Sequence, residues 1–254
     1  MKWILVSMLL LQLFPLRAQL DMEWDVFGGG TVSVLQFKEF KSFVDSYNEQ
    51  NNDLLTKELR FNPLGVGYYA GSGFRMNWFY SSLSAGFIRT LDSKARIQDQ
   101  ERHFYFQTYL FDLGIGARLG KGKLTWNPHV NMTICSMNLS SYYQYENGEK
   151  SFGSDNKYGG VYTSFKMTAR VGLMTRYQIN DKWGISFDLS CFPQAKKYGG
   201  GSFDYSTSGT FGSSFPKSAF TSGFVGVDDA MTETYRHITF DFGLTYIIFK
   251  SQHE

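Results

Sequence analysis

The chain has 254 residues, enough for one domain, and its 25 basic and 23 acidic side chains give a formal charge of +2. This balance argues against a nucleic-acid-binding protein, which would carry a strongly basic patch. Aromatic residues make up 18% of the chain, although its mean hydropathy is −0.27. That combination is typical of lipid-facing strands around a polar interior, and it also occurs in soluble all-β domains.

The first 18 residues predict a secretory signal peptide. Lys2 supplies a positive charge, residues 3–13 are apolar but too few to cross a bilayer, and Ala18 precedes a plausible cleavage site. An N-terminal anchor helix is the less favoured alternative. Removal of Lys2 and Arg17 with this segment leaves 23 basic and 23 acidic residues, a formally neutral mature chain. Because no later run of 18 apolar residues occurs, the sequence predicts no transmembrane helix.

A first strand is predicted over 22–35, where apolar and polar side chains alternate. The three glycines at 28–30 indicate a kink or a close backbone approach, and no Lys-Ser or Lys-Thr follows them, as a phosphate loop would require. The segment 37–59 has the one helical pattern, with Phe37, Phe40 and Val44 on one face. A lid over the mouth of the strand assembly is favoured over an amphipathic helix that binds the membrane or a partner.

Seven further alternating segments follow, at 64–75, 78–90, 102–119, 124–142, 161–179, 183–192 and 235–249. In the last of these, apolar side chains such as Phe240 and Leu244 alternate with polar ones such as Thr239 and Asp241, which predicts a strand with two unlike faces. The connections at 76–77, 120–123 and 180–182 are short, and those at 36–63, 91–101, 146–160 and 193–233 are long. This alternation favours an outer-membrane barrel with short periplasmic turns and long extracellular loops over a soluble sandwich.

The strand phases place a set of charged side chains inside the barrel. Its members are Asp25, Arg75, Asp112, Arg118, His129, Lys166, Arg170, Arg176, Asp188 and Asp241, and His237 shares their face. Eight strands enclose an interior that side chains just fill, so we expect a structural network of ion pairs, with a gated ion path or a small-solute pore as the alternative. Cys135 is predicted to point inward and Cys191 outward, which makes a disulfide improbable.

The sequence gives no sign of an active site. His237 and Asp241 are about 13 Å apart along one strand, too far for a catalytic dyad. His103 has Glu101 and Asp99 nearby in sequence but no serine or cysteine partner. The four histidines and two cysteines show no metal-ligand spacing. We therefore predict no enzymatic activity, no cofactor and no metal.

The last strand carries Asp241, Gly243, Tyr246 and Ile248 in the order polar-x-Gly-x-x-aromatic-x-hydrophobic. In architecture, over nearly all of the mature chain, the sequence resembles the small eight-stranded outer-membrane barrels of Gram-negative bacteria, the OmpA/OmpX-type superfamily. The resemblance implies that these four residues are an assembly signal for the barrel-insertion machinery. The chain departs from that family because residues 250–254 follow Phe249, where the family usually ends on an aromatic residue.

The predicted fold is an all-β, eight-stranded antiparallel transmembrane β-barrel that comprises residues 19–254, exported through the Sec pathway to the outer membrane. Its predicted function is structural or surface-interacting, through extracellular loops. The loop 193–233 is rich in Gly, Ser, Phe and Tyr, which suits contact with protein or glycan, and a loop without a partner is an equal alternative. Outer-membrane lipid is a further predicted partner. A transport or secretion-accessory barrel is the alternative function, and a membrane-embedded lipid-modifying enzyme or protease is the most distant one.

Overall fold

A computed structural model describes residues 21–120, 122–151, 160–192, 204–205 and 236–251. The predicted signal peptide, 1–18, lies outside these residues, and so does the loop 193–233 apart from Asp204 and Tyr205. Within the described part, no helix has the length and apolar character needed to cross a membrane.

Twelve strands and one helix make up this part of the chain. In order they are β1 (Met22–Gln36), α1 (Lys38–Gln50), β2 (Leu55–Lys57), β3 (Leu64–Met76), β4 (Phe79–Thr90), β5 (Ser93–Ile97), β6 (Gln100–Ala117), β7 (Leu124–Tyr145), β8 (Lys150–Ser151), β9 (Gly160–Gln178), β10 (Trp183–Cys191), β11 (Asp204–Tyr205) and β12 (Arg236–Lys250).

Eight of these strands close into a ring. In ring order they are β1, β3, β4, β6, β7, β9, β10 and β12; each pairs antiparallel with the next, and β12 pairs with β1. The predicted eight-stranded antiparallel barrel is thereby confirmed. Closure leaves these strands without free edges along the ring. The short strands β2 and β5 extend the sheet beside β6, while β8 pairs with β7 and β11 with β9.

Over the middle of the barrel, the ring strands alternate between an exposed apolar face and a buried polar face. On β6, Leu113 and Ile115 are exposed on the outside, whereas Asp112, the residue before Leu113, is buried inside. The same pattern recurs around the ring, with exposed apolar side chains at Val66, Val130, Met132, Leu173, Ile185, Phe187, Phe242 and Leu244. This distribution is the reverse of that in a water-soluble protein, where apolar side chains fill the interior.

The two ends of the barrel differ. At the end called here the turn end, the connections are the short segments 77–78, 118–123 and 179–182, and the strands β1 and β12 begin and finish there. Left-handed backbone at Asn77, with φ 53, and at Gly120 and Gly122 lets these turns reverse tightly. The opposite end, the loop end, carries α1 and the extensions β2, β5 and β8.

The close backbone approach expected at 28–30 is present. Gly29 pairs with Gly243 on β12, and a Cβ atom at Gly29 would lie 2.0 Å from the Phe242 carbonyl oxygen. On the outside, the Phe242 ring lies over Gly30. Glycine is needed at residue 29 because any larger side chain would separate the strands that close the barrel.

Two predicted segments differ in the structure. The helical prediction over 37–59 is wrong beyond Gln50, because Asn51 caps the helix through bonds to the Tyr47 carbonyl and the chain then turns. Asn48 holds the returning segment through two hydrogen bonds to the Leu59 backbone, at 2.8 and 2.9 Å. The predicted loop 91–101 is also wrong, since it forms the β5–β6 hairpin with Gln98 at φ 48 in its turn.

Candidate functional site: the barrel interior and the loop end

A charge cluster occupies the interior at the turn end. Arg75 and Arg176 face the carboxylates of Glu23 and Asp25, and all four side chains are at most 4% exposed. Arg75 Nη1 lies 2.8 Å from Glu23 Oε1 and also contacts Asp25, and Arg176 Nη1 lies 2.8 Å from Asp25 Oδ2 and also contacts Glu23. The two cations and two anions compensate one another, as buried charges require.

A second polar layer lies near the middle of the barrel. Arg170 is paired with Asp112, which also accepts a hydrogen bond from Thr133. His129 Nε2 lies 3.4 Å from Asp188 Oδ2, which is on β10, two strands away in the ring. Asp241 is buried next to Asp188, because the two are direct cross-strand neighbours on β12 and β10.

The remaining predicted interior residues have different surroundings. Arg118 lies just beyond β6, at the rim of the turn end, where it pairs with Asp21 at 3.4 Å and is 14% exposed. Lys166 is in β9 with its backbone opposite Cys135, and its side chain lies outside the described part of the structure. His237 is buried and stacks on Phe192 with a ring separation of 5.7 Å.

The sequence prediction omitted Glu23, which contributes one of the two carboxylates of the turn-end cluster. Its position two residues before Asp25 on the same face would have revealed it. Tyr80, fully buried on β4, and Asn127, fully buried on β7, were omitted although they share the inward parity of their strands. The predicted interior set consisted of charged side chains and histidines, so it did not include these two uncharged ones.

An apolar plug fills the interior at the loop end. The α1 residues Phe40, Val44 and Tyr47 are buried there. Phe40 makes edge-to-face ring contacts with Phe104 and Phe106 on β6, at centroid separations of 6.2 and 5.0 Å. Beneath them the plug continues through inward side chains, namely Ile88, Leu110, Cys135 and Met137. The helix therefore acts as a lid whose apolar face packs into the barrel mouth.

Three layers of side chains thus occupy the interior: the charge cluster, the middle polar layer and the plug. At the turn end a cavity of about 10 Å³ remains, lined by Glu23, Arg75, Arg118 and Arg176 among others. This volume is about that of one water molecule. Cys135 is buried inside, and Cys191 is on the outward face.

Aromatic side chains form two girdles on the outer surface. At the turn end, Trp24, Trp78, Trp126 and Trp183 are all exposed, and the Trp183 ring contacts Tyr246 at 4.9 Å. Toward the loop end, Tyr68, Phe87 and Tyr109 follow one another on β3, β4 and β6 with ring separations of 5.5 and 5.1 Å. Between these girdles the outer surface carries the exposed apolar side chains described above.

Beyond the second girdle, β6 and β7 continue as a pair, and β5 forms a hairpin with β6 there. Asp92, in the connection before β5, accepts hydrogen bonds from Tyr142 and His103 and pairs with Arg89 at 3.1 Å. Burial raises the pKa of Asp92, but these hydrogen bonds and the Arg89 charge outweigh it and hold the pKa below its usual value. A groove of about 440 Å³ beside the hairpin is lined by Arg96, Asp99, Glu101, Gln144, Tyr145 and Glu146.

Neither end brings a recognisable catalytic group together in the described residues. There, no cluster of three or more His, Cys, Asp or Glu side chains has a geometry that would hold a metal ion. His103 contacts Asp92 and Tyr142 but is 2% exposed, so a substrate does not reach it.

Comparison with known proteins identifies neither a family nor a curated relative. No family model matches the chain, and no curated protein matches it. Among solved structures, the chain is similar to Ail, the attachment invasion locus protein of Yersinia pestis. One such structure, in complex with the heparin analogue sucrose octasulfate, has 8% identity and a TM-score of 0.44 over 90% of this chain and 99% of that one. Another has 9% identity and a TM-score of 0.44 over 89% and 98%. At these values the likeness carries no argument about function.

Proposed function

We propose that this protein is an outer-membrane β-barrel that presents an interaction surface at its loop end. The observation that carries the proposal is the inverted polarity of the ring, with exposed apolar side chains outside and ion pairs inside. In water, so many exposed apolar side chains on one continuous surface would drive aggregation. In a bilayer the same surface contacts acyl chains, and the paired charges stay away from lipid.

The separation of the two girdles supports this environment. Tyr109 in the upper girdle is opposite Ser136 on β7, ten residues after Trp126 in the lower girdle. Ten residues of strand extend about 33 Å, or about 25 Å along the axis for a strand tilt of about 40°. That height equals the apolar band of outer-membrane barrels, whose interfaces carry aromatic girdles.

The proposed orientation puts the turn end in the periplasm and the loop end outside the cell. Residues 1–18 would be the exported signal peptide and 19–254 the barrel domain. Asp241, Gly243, Tyr246 and Ile248 would be read by the barrel-insertion machinery. In β12 the first two lie on the inward face and the last two on the outward face. An assembly factor would therefore meet polar and apolar side chains on the two faces of this strand before β1 pairs with it.

The filled interior favours an interaction role over transport. Solute would have to pass the plug, the middle polar layer and the charge cluster, and each is held by ring contacts or ion pairs. The surfaces left for a partner are the β5 hairpin with its groove and the loop 193–233, which we propose contacts protein or glycan. We assign no catalytic role to the chain.

Two measurements test the location. The folded barrel should migrate differently from the boiled protein on a denaturing gel, because a closed barrel resists detergent unfolding. Protease added to intact cells should cut within 193–233, while sites in the turns 77–78 and 179–182 stay protected. Release of the protein by carbonate, without a change of mobility on heating, would refute the membrane assignment.

A further inference from the structure

The small cavity at the turn end of the barrel has a basic wall. Within the part of the chain that the structure describes, Glu23 is the one acidic residue of this wall. Four cationic residues line the cavity with it, namely Arg75, Arg118, Lys123 and Arg176, and the other wall residues are uncharged. Gly122 and Lys123 are exposed, so the cavity is reached from the end of the barrel that the proposed orientation places in the periplasm.

The charges around this cavity do not balance. The anions that pair with the four cations are the two carboxylates of the charge cluster and Asp21, which lies 3.4 Å from Arg118. Three anions therefore face four cations, and one positive charge is left over. The cross-strand neighbour of Glu23 on β12 is Lys250, so that strand brings another cation and not an anion. An excess charge beside a mostly buried cluster is costly unless an anion offsets it.

Two N–H groups of the wall residues have no acceptor. Arg75 and Arg176 make their ion pairs through Nη1. Arg75 Nε and Arg176 Nη2 are buried, and neither has a hydrogen-bond partner among the described residues. Asp25 Oδ1 also lacks a partner there, but Asp25 is not in the cavity wall, and this oxygen faces Gly73, where a Cβ atom would lie 2.7 Å from it. Buried donors without an acceptor are costly, so the cavity calls for a group that accepts hydrogen bonds.

We propose that this cavity is a binding site for a monatomic anion, chloride, held by Arg75, Arg118 and Arg176. Chloride offsets the excess positive charge and accepts hydrogen bonds from the two N–H groups, whereas a water molecule does only the second. The cavity, about 10 Å³, admits one particle of about the size of water. Chloride is only slightly larger than water, while phosphate, sulfate and organic acids have several heavy atoms and do not fit.

The site exists only in the closed barrel, because its arginines come from three separate segments. Arg75 is on β3, Arg176 is on β9, and Arg118 follows β6 in the connection to β7. A ligand that binds the folded chain and not the unfolded one stabilises the fold by mass action. Chloride therefore stabilises the turn end of the barrel, which goes beyond the interaction role proposed for the opposite end.

The experiment measures unfolding of the full-length protein in phospholipid vesicles at constant ionic strength, with sodium chloride replacing sodium gluconate. Gluconate is too large for the cavity, and urea is the denaturant because guanidinium chloride would itself supply the ligand. For a dissociation constant of about 10 mM, raising chloride from about 1 to about 100 mM should increase the folding equilibrium constant about tenfold. Crystals grown in sodium bromide should show anomalous scattering from one bromide next to Arg75 and Arg176.

Arg118→Gln removes the excess charge at the rim, outside the buried charge cluster, and should abolish most of the gain from chloride, whereas Arg118→Lys should keep part of it. Lys182→Gln is the matched control, because Lys182 is an exposed cation of the same end that does not line the cavity. It should gain as much from chloride as wild type. Equal stability of wild type in chloride and gluconate overturns the proposal, and so does a loss of the gain in Lys182→Gln as large as in Arg118→Gln, or a cavity that holds water in place of bromide.

Discussion

Replacement of Leu113 by arginine tests whether the outward face of the barrel lies in lipid. Leu113 is on the outer surface of β6, four residues from the girdle residue Tyr109, and it is opposite Met132 in the middle of the β7 span. Its side chain is 45% exposed to the surroundings of the barrel. The substitution therefore creates no cavity and no steric clash. It only replaces an apolar side chain on the outer surface by a charged one, which the surrounding medium must solvate.

The expected cost depends on that medium. At the midplane of a bilayer an outward arginine on a barrel destabilises the fold by about 2–4 kcal/mol, a factor of roughly 30 to 1,000 in the folding equilibrium. On a surface in water the same change would stay within about 0.5 kcal/mol. The matched control is Gln107→Arg, on the same strand and face but about 20 Å further toward the loop end, where the cost should be about 0–1 kcal/mol.

The assay is equilibrium unfolding in denaturant of protein folded into phospholipid vesicles, followed by the fluorescence of the outward tryptophans. The difference between Leu113→Arg and Gln107→Arg is the quantity of interest, since it removes any general effect of added charge. Equal free energies of unfolding for the two variants would show that depth in a membrane does not matter, and the assignment of the outer face to lipid would be abandoned.

Four further outcomes are expected. Arg75→Met leaves two buried carboxylates with one guanidinium and should lower the free energy of unfolding by about 3–5 kcal/mol, whereas Arg75→Lys should lose less; equal losses would contradict the ion-pair account. Phe40→Ala removes the centre of the plug and should cost about 3–5 kcal/mol and expose α1 to protease, with the exposed Lys41→Ala as an inert control. Neither this variant nor wild type should conduct ions in planar bilayers, because both polar layers remain; steady single channels in wild type would revive the transport alternative. The pKa of Asp92 is lowered in the folded protein, so its carboxylate stabilises the loop end at neutral pH and this contribution is lost as the pH falls through the folded-state pKa. Asp92→Asn should abolish this pH-dependent contribution, as measured by thermal melting at a series of acid pH values.

The fold could be read from the sequence because barrel strands, with one outward and one inward face, impose a period of two. Near the middle of β6, β9 and β12 the apolar residues point outward and the polar residues inward, so parity alone placed Asp112, Arg170 and Asp241 inside. Parity would equally have placed Glu23, which was overlooked. The helix start was also visible, since Phe37, Phe40 and Val44 recur at helical spacing.

Other features depended on contacts between distant parts of the chain. The helix ends at Gln50, where Asn51 bonds to the Tyr47 carbonyl and Asn48 bonds to the backbone of Leu59, and the apolar pattern does not predict these hydrogen bonds. The strand β5 forms because β6 extends beyond the barrel and pairs with it there. The pairing of particular charges, such as Arg176 with both Glu23 and Asp25, follows from ring closure, which brings together residues 151 or more positions apart.

The sequence by itself thus determined the class of fold and which face each strand residue occupies, because both follow from local alternation. The tertiary structure alone decided that α1 plugs the barrel mouth, that Arg118 lies at the rim, and that His103 is held between Asp92 and Glu101. Those outcomes depend on the register and stagger with which eight strands close, and alternation within one strand carries no information about either.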